Sequence, residues 1–250
     1  MKLSFSLDDG ASAKAAIGVI VLQNDETLES EVSHVIGKSE AALYHSRIPC
    51  AREVTAETLA QMEADLPYTA SLLPSAREMD VVGYACTSGA TVIGPEKIAA
   101  AIHQYHPNAK TTDPITAARA AFEFLGVKRL GFVSPYVADV SKAMQMLIEE
   151  SGFTISTFGS FEQSEEAVVA RISPQSVYEA ICRVGELEDV DAVFASCTNL
   201  RSFEIIEKAE ATIGKAVISS NQALAWHMLS LSGLPTLSMG PGRLFNSAGA

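Results

Sequence analysis

Two short stretches of the sequence follow one pattern. Asp80-Val81-Val82-Gly83-Tyr84-Ala85-Cys86-Thr87 and Asp191-Ala192-Val193-Phe194-Ala195-Ser196-Cys197-Thr198 each start with Asp, carry Val two positions later and end in Cys-Thr. Each opens as a brief apolar run of the length a buried strand takes. They lie a little under half of the 250-residue chain apart. A repeat at that spacing implies two similar lobes, each placing a Cys-Thr at the carboxyl end of one strand.

The rest of the chain fits that scheme. Apolar runs at Ala16–Leu22, Asp80–Ala85, Arg129–Ser134, Thr154–Phe158, Asp191–Ala195 and Ala216–Ser219 predict strands covered on both faces. Helical patterns occupy Thr55–Leu66, Pro95–Gln104, Ile115–Leu125, Val137–Glu150, Pro174–Leu187 and Leu200–Thr212. Alternation of this kind predicts an α/β fold of two pseudo-symmetric lobes, each a mainly parallel sheet flanked by helices. Crossovers near Thr111–Pro114 and Ser219–Asn221 assign residues 1–112 and 220–250 to the N-terminal lobe and 113–219 to the C-terminal lobe. Open α/β sheets bind ligands at the carboxyl ends of their strands. The site is therefore expected in the cleft between the lobes, with a thiol on each wall.

Composition narrows the function. A net charge of -12 without an offsetting basic patch argues against nucleic acid as a partner. Met1–Ala16 lacks the basic start and apolar stretch of an export signal. Runs such as Ile17–Leu22 are too short to cross a membrane. The four cysteines form no dense framework, which fits reduced thiols and a cytoplasmic location. His34, His45, His103, His106 and His227 show no metal-ligand spacing with the cysteines, and His103 and His106 are expected at a solvated helix end. With no GxGxxG and no GxxxxGK[ST], no nucleotide, metal or other cofactor is expected.

A cysteine just before a helix meets free N–H groups and the positive end of the helix dipole, and both favour thiolate. Thr87, Ser88, Thr198 and Asn199 are suitable N-cap types for helices following Cys86 and Cys197. Both thiols are thus expected to be activated. Buried free cysteines are common, and Cys50 and Cys182 are expected to be packing residues. The matched settings of Cys86 and Cys197 point instead to chemistry. Opposed thiols can pass a proton across a carbon next to a carboxylate, or one can add to a double bond that then rotates.

Gly83-Tyr84-Ala85-Cys86-Thr87-Ser88-Gly89 and Ser196-Cys197-Thr198-Asn199-Leu200-Arg201 resemble the two cysteine motifs of maleate cis–trans isomerases, in the superfamily of arylmalonate decarboxylases and aspartate/glutamate racemases. Ile17–Glu29, Ser134-Pro135-Tyr136 and Ser219–Trp226 fit the same family. The resemblance implies Cys86 as nucleophile or first acid/base, Cys197 as its partner and Tyr136 as a hydroxyl on the substrate. It also implies amides around Thr87–Ser88 and Thr198–Asn199 holding a carboxylate. Where the family carries two carboxylate-binding asparagines, this chain places Asp25, with Asn24 adjacent, and Glu166. Either these acids face solvent or cap helices, or they line the pocket and suit a substrate with an amino group. The loop Gln23-Asn24-Asp25-Glu26-Thr27 also resembles the ectoine-utilisation branch. The resemblance implies a cofactor-independent isomerase or racemase of a small amino- or dicarboxylic acid, working as a homo-oligomer. A decarboxylase-type carbon–carbon lyase and a non-catalytic solute-binding protein are the alternatives.

Overall fold

The computed structural model describes residues 1–248. The first half builds β1 (Ala15–Leu22), α1 (Leu28–Ile36), β2 (Ala41–Ile48), α2 (Ala56–Ser71), β3 (Val81–Ala85), α3 (Thr87–Ile93), α4 (Pro95–His103) and β4 (Lys110–Thr112). The chain continues through α5 (Pro114–Phe124), β5 (Arg129–Tyr136), α6 (Ala138–Glu150), β6 (Thr154–Gln163), α7 (Glu166–Val169), α8 (Pro174–Gly185) and β7 (Ala192–Ala195). It finishes with α9 (Phe203–Ile213), β8 (Ala216–Ser219), α10 (Ser220–Leu231) and α11 (Gly242–Asn246). No helix among the described residues is long and apolar enough to cross a membrane.

Two four-stranded sheets form, in the orders β2-β1-β3-β4 and β6-β5-β7-β8, and every pairing in them is parallel. The two orders are the same pattern, so the repeat read in the sequence is a repeat of topology. β3 and β7, which precede Cys86 and Cys197, hold equivalent places. In each sheet the strand order reverses between the two inner strands, β1/β3 and β5/β7. That reversal opens a crevice at their carboxyl ends.

Burial explains which strands the apolar runs revealed. β1, β3, β7 and β8 are buried along their whole length. β2 and β4 were not expected. Both are edge strands of the first sheet and keep exposed or half-exposed polar residues, among them His45, Arg47 and Lys110. A one-sided edge lacks the run that marks a strand covered on both faces. β6 departs from the expectation of cover on both faces: it is an edge strand with no fully buried residue, and it runs on to Gln163, past the expected end at Phe158.

Two helices cross between the halves. α5 follows the first sheet yet packs on the second, where Phe122 meets Phe153 and Phe194 edge-on at 5.2 and 5.4 Å. α10 follows the second sheet yet packs on the first. A Cβ at Gly83 of β3 would come within 2.9 Å of the Met228 sulfur and 3.4 Å of Leu224. Phe124 of α5 and Trp226 of α10 pack ring to ring at 5.0 Å. α11 lies in the stretch expected with the N-terminal lobe, but it packs against β8 and α9 of the second sheet.

Candidate active site

The side chains that meet between the sheets come from the strand ends at the two reversals. Asp25 follows β1, Cys86 follows β3, Tyr136 ends β5 and Cys197 follows β7. Glu166 begins α7, just beyond β6.

Cys86 is itself the N-cap of α3, with Thr87 and Ser88 as the first helical residues rather than the caps. Its sulfur accepts the Gly89 N–H at 3.2 Å and lies 3.7 Å from the Ser88 hydroxyl. Gly89 has to be small, because a Cβ there would fall 3.0 Å from the sulfur. Cys197 departs from the expectation. No helix starts at Thr198 or Asn199, and α9 begins only at Phe203, with Ser202 at the N-cap position and no side-chain cap of its own. Its sulfur accepts a single amide, that of Asn199, at 3.3 Å. Ser220 joins the two motifs. Its Oγ accepts both the Thr87 hydroxyl at 2.9 Å and the Cys197 N–H at 3.1 Å.

Tyr136 reaches this cluster because of local strand chemistry. Pro135 lacks an N–H, and the register of β5 against β6 shifts between Ser134 and Tyr136. Three serines stabilise the irregularity: Ser134 Oγ accepts the Tyr136 N–H, and the hydroxyls of Ser141 and Ser160 donate to the Tyr136 carbonyl. The phenol then donates to Glu166 Oε1 at 2.8 Å and sits 3.1 Å from Cys197 Sγ. Asn199 Nδ2 donates to Glu166 Oε2 at 3.0 Å, and Asn199 Oδ1 accepts the Glu26 N–H.

Asp25 and Glu166 are both buried, with 3% and 4% of their surface exposed. Asp25 Oδ1 accepts the Thr27 and Leu28 N–H groups at 2.8 Å, so it does cap the entry to α1. Its Oδ2 has no partner at full hydrogen-bond geometry, although the Thr198 side chain lies near enough to favour the ionised carboxyl. Arg47 clamps this loop by donating to the carbonyls of Leu22, Gln23 and Asp25. Asn24 turns away, its Nδ2 3.4 Å from the Ala51 carbonyl. Thr198 is buried, and its carbonyl accepts Asn221 Nδ2 at 2.7 Å.

The expected activation of the thiols is reversed in the structure. Burial pushes Cys86 up to about 12, opposed by the Gly89 amide and reinforced by the Glu166 carboxylate. Burial also holds Cys197 well above its ordinary range, again with Glu166 adding to the effect. Amide donors near a cysteine can be anticipated from sequence, whereas complete loss of solvent cannot, and desolvation outweighs them here. Burial likewise raises Asp25 and Glu166.

Crevices reach the cluster. One of about 290 Å³ has Ser88, Leu59, Val54 and Val137 in its walls. Another of about 480 Å³ is lined by Asn24, Glu26, Arg52 and Glu166. Between them the segment after β2 crosses to the second half, where Val54 N–H donates to the Ser164 carbonyl at 2.9 Å and Glu53 bridges Glu165. Cys50 belongs to this segment and faces Glu166 across a small void. Its loop setting had suggested packing alone. Cys182, by contrast, sits on α8, away from the cluster. His106 is buried against the Ala70 carbonyl at 2.9 Å, not solvated as expected.

Glu31, which the sequence did not single out, braces the site from behind. Its Oε1 accepts the Ser202 and Phe203 N–H groups at 2.7 and 3.0 Å, and Oε2 accepts Asn221 Nδ2 at 2.8 Å. Burial raises its carboxyl from 4.5 to about 7. The fold thus prefers the protonated acid. Its stabilising contribution is complete below 4.5 and is lost as pH rises through 7. At 1.36 kcal/mol per unit, that amounts to about 3 kcal/mol. Urea denaturation at pH 5 and pH 8 should show the wild type losing stability over this window. Glu31→Gln should flatten the difference because an amide does not titrate, and it should be less stable than the wild type at pH 5, since its new N–H would face Asn221 Nδ2, which the Thr198 carbonyl holds in place. An unchanged pH difference in the variant would contradict this assignment.

Two parallel sheets sharing one buried pair of cysteines define a two-lobed α/β protein of the kind the sequence resembled. The arylmalonate decarboxylase family model matches residues 98–245, and the chain belongs to that family. It is 29% identical to the maleate isomerase of Pseudomonas putida, with 93% of this chain and 97% of that protein covered. It is 27% identical to the maleate isomerase of Nocardia farcinica, over 94% and 96% of the two chains. Among solved structures, a maleate isomerase of Pseudomonas putida with maleate superimposes at a TM-score of 0.85 with 26% identity, covering 94% of this chain and 98% of that one. A cysteine-to-serine variant of the Nocardia farcinica enzyme, with a covalently bound succinylcysteine intermediate, superimposes at 0.84 with 25% identity, covering 92% and 98%. The likeness to the ectoine-utilisation branch rests on the Gln23–Thr27 loop alone.

Proposed function

We propose that the chain is a cofactor-independent isomerase of a small carboxylate that also bears an amino group. The observation that carries this reading is the single buried network holding both cysteines, with Ser220 between their loops and Tyr136 and Glu166 beside Cys197. The similarity to maleate isomerases over nearly the whole chain supports cysteine-based isomerisation. In the proposed reaction one sulfur, as thiolate, takes the proton from the carbon next to the carboxylate, and the other thiol returns one to the opposite face. The Thr87 and Ser88 amides open α3 and lack an acceptor within the helix, which suits them to a substrate carboxylate.

Asp25 and Glu166 supply the finer assignment. A dicarboxylate would face two buried acids, a costly arrangement where water is excluded. A substrate ammonium would instead meet the unpartnered Asp25 Oδ2. Proton NMR in D₂O tests the choice with small α-amino acids on one side and maleate on the other. Loss of the α-proton signal from an amino acid is the expected result. Conversion of maleate with no exchange into any amino acid would replace racemisation with cis–trans isomerisation. The match of residues 98–245 to the arylmalonate decarboxylase family also supports a second reading, a carbon–carbon lyase of the decarboxylase type.

A further inference from the structure

Tyr136 has one proton to donate and two neighbours at hydrogen-bond distance. Glu166 Oε1, at 2.8 Å, is an acceptor and takes that proton. The contact with Cys197 at 3.1 Å must then run the other way, with the thiol donating to the phenol oxygen. The order of donors is therefore Cys197 S–H to Tyr136 Oη–H to Glu166 Oε1. Asn199 fixes the far end by donating to Oε2, and its backbone N–H points at the sulfur. Both Glu166 oxygens are thus committed to protein donors, whereas Asp25 keeps one free.

We propose that Glu166 is the proton acceptor that ionises Cys197, working through the Tyr136 hydroxyl. The Cys197 S–H bond breaks and its proton passes to Tyr136 Oη, while the Tyr136 proton passes to Glu166 Oε1. The S–H electron pair stays on the sulfur. A thiol and a carboxylate become a thiolate and a carboxylic acid, with the phenol restored. Charge is conserved, and no further reactant is needed. The carboxylate that keeps the thiol protonated while it holds its charge is thereby the group that relieves it of the proton. Burial holds Tyr136 well above its ordinary range, which suits a conduit that never rests as phenolate. Asn199 N–H at 3.3 Å then receives the new negative charge. Glu166 does not meet the reacting carbon, so it is a positioning residue for Cys197. This division of labour rests on the reading of Cys197 as an acid/base, and it leaves Asp25 as the acid available to a substrate ammonium. The titratable groups that face Cys197 are Glu166, Tyr136 and Asp25.

Alkylation by iodoacetamide, followed for the Cys197 peptide by mass spectrometry from pH 6 to 10, needs no substrate and tests the relay directly. If Glu166 acted only through its charge, wild-type labelling would rise about tenfold per pH unit, as for any thiol that loses its proton to solvent. The relay predicts a wild-type rate that is flat with pH wherever Glu166 is ionised, because the proton moves within the protein and none leaves it. Glu166→Gln should restore the rise of about tenfold per unit. A wild-type rate that climbs about tenfold per unit from pH 6 to 8 overturns the proposal. So does a wild-type Cys197 that stays unlabelled below pH 9. A relay that passes this test in a protein inactive on every small carboxylate would remove the isomerase reading and leave the relay standing.

Discussion

Cys86→Ala and Cys197→Ala should each lower turnover by about 10⁴-fold, the upper end of what one positioned acid or base contributes. The two losses should be similar and should not multiply in the double variant, because two thiols serving one proton transfer act as a unit. The expectation follows from the equivalent places of the cysteines, one after β3 and one after β7, and from the Ser220 hydroxyl that ties their loops together. Folding should be little affected, since a buried sulfur replaced by hydrogen leaves a small void. Thermal melting provides that control. The lyase reading makes a different prediction: Cys86→Ser keeps activity while Cys197→Ser loses it. Any substrate turned over by the wild type decides between them, and retention of a tenth of the activity by either alanine variant would end the two-thiol mechanism.

Phe122→Ala should cost about 3–5 kcal/mol, the range for removing a large buried aromatic side chain. Phe122 has no exposed surface and stands edge-on to Phe153 and Phe194. Phe194 in turn packs against Phe132 at 5.7 Å. Removing the central ring takes away both edge contacts and leaves a cavity between α5 and the second sheet. A domain's whole stability is of the order of 5–15 kcal/mol, so the variant should melt far below the wild type. Guanidinium denaturation should show a lower midpoint with an unchanged slope. A loss under about 1 kcal/mol would mean that α5 is not anchored through this ring.

Much of this arrangement was legible in the sequence because the inner strands are buried on both faces. Val81–Ala85 and Ala192–Ala195 announced themselves as apolar runs, and the Cys-Thr after each marked the equivalent strand ends. β2 and β4 escaped notice because an edge strand needs only one dry face. α10 escaped for the opposite reason. It is buried on nearly every side between the halves, so no polar stripe sets a helical period, although Ser219 and Gln222 form a capping box at its start. At the site, residue types could be read but partners could not. Asp25 and Glu166 stood out as acids in place of amides, yet nothing in the chain order tells that Tyr136 would lie between Glu166 and Cys197. Ser220 and Glu31 contribute through contacts made only after the two sheets come together, and Arg47 through carbonyls of the loop after the neighbouring strand.

The exchanged helices also set a timetable. A ribosome that has released residues 1–112 has made every strand of the first sheet, but Leu224 and Met228, which cover Gly83, are still unsynthesised. The sheet made first must wait for one of the last helices, with an apolar face open in the meantime. The second sheet receives α5 before its own strands emerge, and its strands are complete at β8, but α11 covers β8 and α9 only after α10 has been made. Assembly half by half from the amino end is therefore denied to this molecule: each sheet waits for one of the last two helices, and the nascent early half keeps its apolar face open the longest.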